Sequence, residues 1–269
     1  MKQKPGIATR AVLLVVSLLW AIPLIWSVLT ALKPSKESML LQLPSTLTLE
    51  NFQVVFDSAP FLQYGLNTFL IVAGILAVQL VTVTMGAYAL ACVNFRGKGL
   101  AMALIMVQII IPADVLILPN YTTLRQLGLL DTLLGVMIPF FASSMGLLLL
   151  RGAYKSIPSA IADAARIDGA SEAKTFISIV LPMVKPGIGA LAIFTFINSW
   201  NDYFMQLIML SSTSNLTISL GIAKLQAENS TDFGLIMAGA ALAAVPIIII
   251  FLIFQKYFTK GIAMGAVKG

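Results

Sequence analysis

Six long stretches of this sequence are uncharged or nearly so over about the 20 residues that a helix needs to cross a hydrocarbon core. They cover residues 11–32, 66–92, 100–119, 133–150, 187–210 and 235–254, the fifth broken by Asp202. Composition agrees with them: 59% of the 269 residues are hydrophobic, 10% are charged and the mean hydropathy is +0.96. Soluble domains carry charge on about a quarter of their residues, so a water-soluble globule is excluded and lipid is part of the solvent. Pro23, Pro112, Pro139 and Pro246 fall inside four of the runs. Neighbouring helices must satisfy the backbone groups they free, which predicts kinked, packed spans. The first run follows Lys2, Lys4 and Arg10 but exceeds a signal-peptide core, and no small-residue cleavage site follows, so a retained first helix is expected.

Basic residues set the orientation, because cytoplasmic loops are enriched in Lys and Arg. Six spans place Lys2, Lys4, Arg10, Arg96, Lys98, Arg151, Lys155, Arg166, Lys174, Lys185, Lys256, Lys260 and Lys268 on one side, 13 in all. Only Lys33, Lys36, Arg125 and Lys224, 4 in all, fall on the other. Both termini are therefore expected in the cytoplasm. The net charge of +6 reads as topological, so no nucleic-acid partner is expected. A single cysteine, Cys92, excludes an internal disulfide, and the lack of histidine removes Ser-His triads and histidine-bearing zinc sites. No metal and no cofactor are expected.

Small residues at four-residue spacing in the last run pair Gly234 with Ala238, Gly239 with Ala243 and Ala240 with Ala244. They suit close helix packing, or lie against lipid. In the outer loop 33–65, Leu47, Leu49, Phe52, Val55 and Phe56 predict a short amphipathic helix on the outer surface. No repeat and no disordered linker interrupts residues 1–269, which read as one integral domain.

The longest cytoplasmic stretch, 151–186, reads as two short helices around a glycine. Ser156 and Pro158 are expected to start the first, with Ile157, Ile161, Ala164, Ala165 and Asp168 along one stripe. Gly169 supplies a positive φ, and Ser171 caps a second helix expected to end before Pro182. A small apolar stripe flanked by Asp163, Arg166, Glu172 and Lys174 fits a knob that docks into a cleft on another protein. A hairpin resting on its own bundle or on headgroups fits the pattern equally.

Asp163-Ala164-Ala165, three further residues, Gly169, nine further residues and Ile179-x-Leu181-Pro182 resemble the EAA loop of bacterial ABC importer permeases, with Asp for the usual Glu. Ile157-Pro158, Ile167-Asp168-Gly169-Ala170-Ser171, Trp200-Asn201 and the tail from Gly265 through Val267 and Lys268 to Gly269 resemble the carbohydrate class, in particular the smaller maltose-type subunit. Asn67, Ala87-Tyr88-Ala89-Leu90-Ala91 and Leu127-Gly128-Leu129 extend the likeness over nearly the whole chain. The resemblance implies an all-α membrane protein, a six-helix permease bundle in the cytoplasmic membrane. It also implies that Asp163, Ala164, Ala165, Asp168, Gly169, Ile179, Leu181 and Pro182 couple to an ATPase, with Val267 and Lys268 as a further contact. Implied partners are a second homologous permease subunit, two cytoplasmic ATPase subunits that bind the ATP, and an extracytoplasmic solute-binding protein. Consistently, no G-x-x-x-x-G-K-[ST] phosphate loop occurs; Gly97-Lys98-Gly99 reads as a tight turn.

Intramembrane polar groups mark a pathway or a helix contact. Asn198, Ser199, Trp200, Asn201, Asp202 and Tyr203 combine hydrogen-bonding and aromatic groups, as a sugar requires, although Asn201 and Asp202 could instead serve backbone freed by a helix break. Gln79, Gln108 and Asp114 are weaker candidates, Asp114 near the outer surface, while Phe204 and Met205 read as core. The function read here is ATP-coupled import of a sugar or oligosaccharide by alternating access. Phosphate-bearing solutes such as glycerol phosphate would call for intramembrane Arg or Lys, which the spans lack. An ATP-independent secondary carrier and an intramembrane enzyme are the competing classes; an enzyme would need a catalytic constellation from pairs such as Asp114 and Asp202.

Overall fold

A computed structural model describes residues 6–229 and 231–266, with side chains as far as 255. Every regular element among them is helical. Helices α1 (Ile7–Ala31), α2 (Glu50–Ser58), α3 (Phe61–Cys92), α4 (Lys98–Ile110), α5 (Ile117–Gln126), α6 (Leu133–Met137) and α7 (Ser144–Lys155) are followed by a hairpin. That hairpin contains α8 (Ser159–Ile167), α9 (Glu172–Lys174), a π-helical stretch (Thr175–Val180) and α10 (Leu181–Met183). The chain closes with α11 (Lys185–Trp200), α12 (Phe204–Met209), α13 (Ile218–Glu228) and α14 (Phe233–Ala266).

Three described helices are apolar and long enough to span a membrane unaided: α1, α3 and residues Phe233–Gln255 of α14. At 1.5 Å per residue the 25 residues of α1 reach about 37 Å. Three more candidates are bent pairs, Lys98–Ile110 with Ala113–Gln126 at 99°, Leu133–Phe140 with Ser144–Lys155 at 46°, and Glu172–Met183 with Lys185–Trp200 at 75°. The third apolar run is broken rather than gently kinked: Ile111 leaves helical geometry with ψ of 120°, as a residue before proline favours, and Pro112 turns the chain.

The chain divides into two compact units. One comprises residues up to 62 together with 221–245. Its organising side chain is Asn51, 2% exposed, whose Nδ2 donates to the carbonyls of Ala31 and Lys33, both at 2.8 Å. Lys33, 1% exposed, donates to the Leu40 carbonyl at 2.8 Å and lies 4.6 Å from the Trp26 ring centre, a cation–π contact. The amphipathic α2 forms as expected, but Leu47 and Leu49 precede it and are exposed; Val55 and Asn51 supply its buried face. The small residues of α14 serve packing within this unit: Gly234 faces Asn51, and Gly239 faces Leu225 and Ile222 of α13.

The second unit, 63–220 with 246–269, has two apolar clusters. Val83, Ala87, Tyr88, Leu150, Tyr154, Val180 and Leu191 tie α3, α7 and α11 to the base of the hairpin. Ile71, Ile75, Leu124, Val136, Met205, Met209 and Leu220 join α3 to α5, α6, α12 and α13. Gln79 crosses the apolar interior between them: its amide donates to the Phe140 carbonyl at 2.6 Å and its oxygen accepts from Thr195 Oγ1 at 2.6 Å. Its polar atoms are therefore taken up by structure and not by a pathway.

Candidate functional site

Two places in the second unit gather the residues singled out from sequence. The first is the hairpin. Pro158 stands at the N-cap of α8 with its fixed φ; Ser156 instead closes α7, donating from Oγ to the Ala153 carbonyl at 2.7 Å, so it ends a helix and does not start one. Gly169, at φ of +80°, ends α8, and Ala170 N donates back to the Ala165 carbonyl at 2.9 Å, the six-residue closure that favours glycine. Ser171 caps α9, its oxygen accepting from Lys174 N at 3.3 Å. The second helix does not stop before Pro182: it runs through the π-helical stretch into α10 and ends at Met183. The wider π turn relieves the contact between a proline ring and the carbonyl of the preceding turn.

Charged groups lock the two arms together. Arg166 donates from Nη1 to Asp163 Oδ1 at 2.8 Å and from Nε to Glu172 Oε1 at 2.6 Å, and Tyr88 OH donates to Glu172 Oε2 at 3.2 Å. The Glu172 and Asp163 carboxylates hold the guanidinium above its ordinary pKa, so it is a permanent cation. The expected stripe splits in two. Ile157 and Ala165 turn inward, with Ile157 against the first cluster, while Ala160, Asp163, Ala164 and Ile167 share the outward face with Asp168 and Gly169 beyond it. Ile167 is 86% exposed, and its spacing from Ala160, Asp163 and Ala164 at i+7, i+4 and i+3 puts it on the same face, which the sequence pattern could have signalled. Leu181 packs on the first cluster, Ile179 is half-buried and Pro182 is exposed. Beside α8 a cleft of about 640 Å³ opens, lined by Asn94, Tyr154, Lys155, Ser159, Asp163 and Arg166 among others. Val267 and Lys268 lie outside the described residues.

The second place is a cavity of about 490 Å³ where three helix interruptions meet. The break between α4 and α5 contributes Pro112 and Asp114, the break before α7 contributes Ala142 and Ser143, and the break between α11 and α12 contributes Asp202. Gln108, Asn120, Ser144, Phe140, Phe204 and Met205 also line it. Asp202 stands two residues before α12 and accepts from the backbone N–H groups of Met205 and Gln206 in its first turn, and its Oδ2 is enclosed without a hydrogen-bond partner. Ser144 Oγ donates to Gln108 Oε1.

Of the six expected pathway residues, Asn198 to Tyr203, only Asp202 lines this cavity. Asn198 and Asn201 each donate to the carbonyl four residues back, of Phe194 at 2.7 Å and Ile197 at 2.8 Å. Trp200 is 3% exposed and stacks on Phe196 with ring centres 5.3 Å apart, as core. Tyr203 packs on the second cluster. Asp114, Gln108 and Phe204, ranked lower or assigned to the core from sequence, are the ones the fold brings to the cavity. Cavity-facing polarity in a membrane bundle is retained where it meets water or solute, and interrupted helices are where such sites form.

Residues 2–264 match the family described as binding-protein-dependent transport system inner membrane component. An arabinooligosaccharides transport system permease protein, AraQ, of Halalkalibacterium halodurans is 34% identical over 92% of this chain and 91% of its own length. The sn-glycerol-3-phosphate transport system permease protein UgpE of Salmonella typhimurium is 31% identical over 84% of this chain and 83% of its own. In fold, the chain resembles a subunit in the crystal structure of a bacterial ABC transporter involved in the import of the acidic polysaccharide alginate, with TM-score 0.79 and 22% identity over 96% of this chain and 100% of that one.

Proposed function

Since the chain belongs to the family of binding-protein-dependent transport inner membrane components, we propose that it is the permease subunit of an ATP-driven importer that moves a sugar or oligosaccharide across the cytoplasmic membrane. Residues 1–269 act as a single domain of six spans, three continuous and three bent, with both termini in the cytoplasm. The hairpin within 151–186 is the coupling element, its outward face of Ala160, Asp163, Ala164 and Ile167 seated in a groove on one of two cytoplasmic ATPase subunits. Asp168, Gly169, Ile179, Leu181 and Pro182 shape and anchor it, and the tail through Val267 and Lys268 makes a second contact. A homologous permease subunit completes the pathway, and an extracytoplasmic binding protein delivers the solute. ATP is bound by the partners and not by this chain.

One observation carries the reading. The hairpin is a braced lever, clamped by Arg166 and continuous through α9, the π-helical stretch and α10 up to the bend before α11, the helix that ends beside the cavity residue Asp202. Movement of α8 by a partner thereby reaches the cavity through packed helix, as a switch between two facings requires. Gly169→Val tests it, because its φ of +80° is strained for any β-branched residue. Uptake by the assembled importer and co-purification of the ATPase are both expected to fall at least several-fold; wild-type values of both overturn the assignment.

Glycerol phosphate import is the second reading, favoured by the likeness to the Salmonella permease. An ion-driven carrier is separated from both by uptake in vesicles depleted of ATP, which this reading expects to be absent.

A further inference from the structure

Within the six apolar runs the sequence places two formal charges, Asp114 and Asp202, both negative. They lie in different runs, yet both line the 490 Å³ cavity, near enough for their charges to interact, and none of the lining residues is Lys or Arg. Asp202 spends one side of its carboxylate on the backbone of α12 and leaves Oδ2 without a protein partner. The Asp114 carboxylate makes no hydrogen bond or ion pair among the described residues, its backbone carbonyl alone accepting from Ile117 N. The remaining polar lining, Gln108, Asn120, Ser143 and Ser144, is uncharged. A carboxylate only accepts, so its natural counterpart is a hydroxyl that donates; a second anion is repelled, strongly so where water is scarce.

We propose that Asp114 and Asp202 are a charge filter, which admits saccharides without negative charge and turns away phosphate- and uronate-bearing ones. The inference rests on the reading of the chain as an import permease and narrows its solute class. The cavity falls in the size range of small-molecule sites and offers Phe140 and Phe204 as apolar faces for a sugar ring. Passage of phosphate or carboxylate would set like charges against each other at the helix breaks, with no basic side chain in the lining to offset them.

The filter is tested by the reactivity of one thiol in the cavity. With Cys92 replaced by Ser, Ala142→Cys puts a single thiol on the cavity wall of the assembled importer. A cationic trimethylammonium-ethyl methanethiosulfonate and an anionic sulfonatoethyl one, similar in size, are timed against it, each rate normalised to free cysteine. The normalised cation-to-anion ratio is expected to be about tenfold or more. Asp114→Asn should lower it, and adding Asp202→Ser, which keeps a capping hydroxyl for α12, should bring it close to one. A native ratio equal to that of free cysteine, or one the substitutions leave unchanged, overturns the filter. Co-purification of an ATPase with the unsubstituted chain is followed alongside. Its absence counts against the importer reading alone, whereas a co-purifying ATPase with no charge preference at the thiol counts against the filter alone.

Discussion

Arg166 touches two carboxylates from two arms of one hairpin, and its energetic weight is smaller than its geometric one. Its side chain is 37% exposed and those of Asp163 and Glu172 are 57% and 60% exposed, so solvent screens both ion pairs and neither adds much to stability. Arg166→Gln should therefore leave the thermal midpoint almost unmoved while the ATPase response to solute falls several-fold; a large drop in midpoint with coupling intact contradicts the brace. Asn51 is the opposite case. Removing its amide leaves two buried carbonyls unpaired, and Asn51→Ala is expected to cost about 2 kcal/mol, read as a lowered thermal midpoint in detergent. Asp131 knits two loops together, at φ of 56°, its carboxylate accepting from the N–H groups of Ser211 and Ser212 and from the Ser212 hydroxyl. Those bonds hold its pKa well below the ordinary 3.8. A depressed carboxylate stabilises above its unfolded value and stops doing so as the proton returns, so the stabilisation is complete at neutral pH and wanes as pH falls below about 4. Protection factors for hydrogen exchange at Ser211 and Ser212, taken against the intrinsic rate at each pH, should fall over that acid range in the native chain and be low throughout in Asp131→Ala. Local residues such as Gly169 and Ser171 were legible because their chemistry closes within a few positions. Asn51, Lys33 and Asp131 were not, because their partners are set by the tertiary fold. Trp200 misled for a related reason: an aromatic beside two polar residues resembles a sugar platform until Phe196 is seen stacked on it.

At the scale of elements, hydropathy located every apolar run but, the interruption at Asp202 apart, could not locate their breaks. A window over 100–119 averages across Ile111 and Pro112, and the turn of 99° leaves the mean unchanged. The cavity was hidden for that reason, since it is built from three breaks and from residues that no periodicity relates. Helix contacts are equally sensitive to single atoms. A methyl group on Gly135 would collide with the Leu129 carbonyl, which is backbone and cannot step aside; Gly135→Ala is expected to destabilise by about 2–3 kcal/mol. Gly152, in α7, has open space around its Cβ position, and Gly152→Ala should be neutral or stabilise by up to about 1 kcal/mol. Thermal midpoints of the two variants, measured side by side, should move in opposite directions or leave Gly152→Ala at the native value.

For the whole molecule, the asymmetry of 13 basic residues against 4 sets a topology that labelling can check. In a Cys92→Ser background, Ser212→Cys should react with a membrane-impermeant thiol reagent on intact cells, and Asp168→Cys only after permeabilisation; the reverse pattern inverts the topology. Family and membrane class were legible from sequence because apolar runs and the hairpin motif survive without coordinates. The π-helical stretch at Thr175–Val180 was not, and it bears on how a pull becomes a motion. A π turn stores one residue more than an α turn, a stitch of slack in an otherwise taut cable. Were the stretch to wind as plain α-helix with all its residues kept, the extra one would screw the hairpin tip round by about 100° relative to α10. The docking face would then point away from its socket with every side chain on it unchanged.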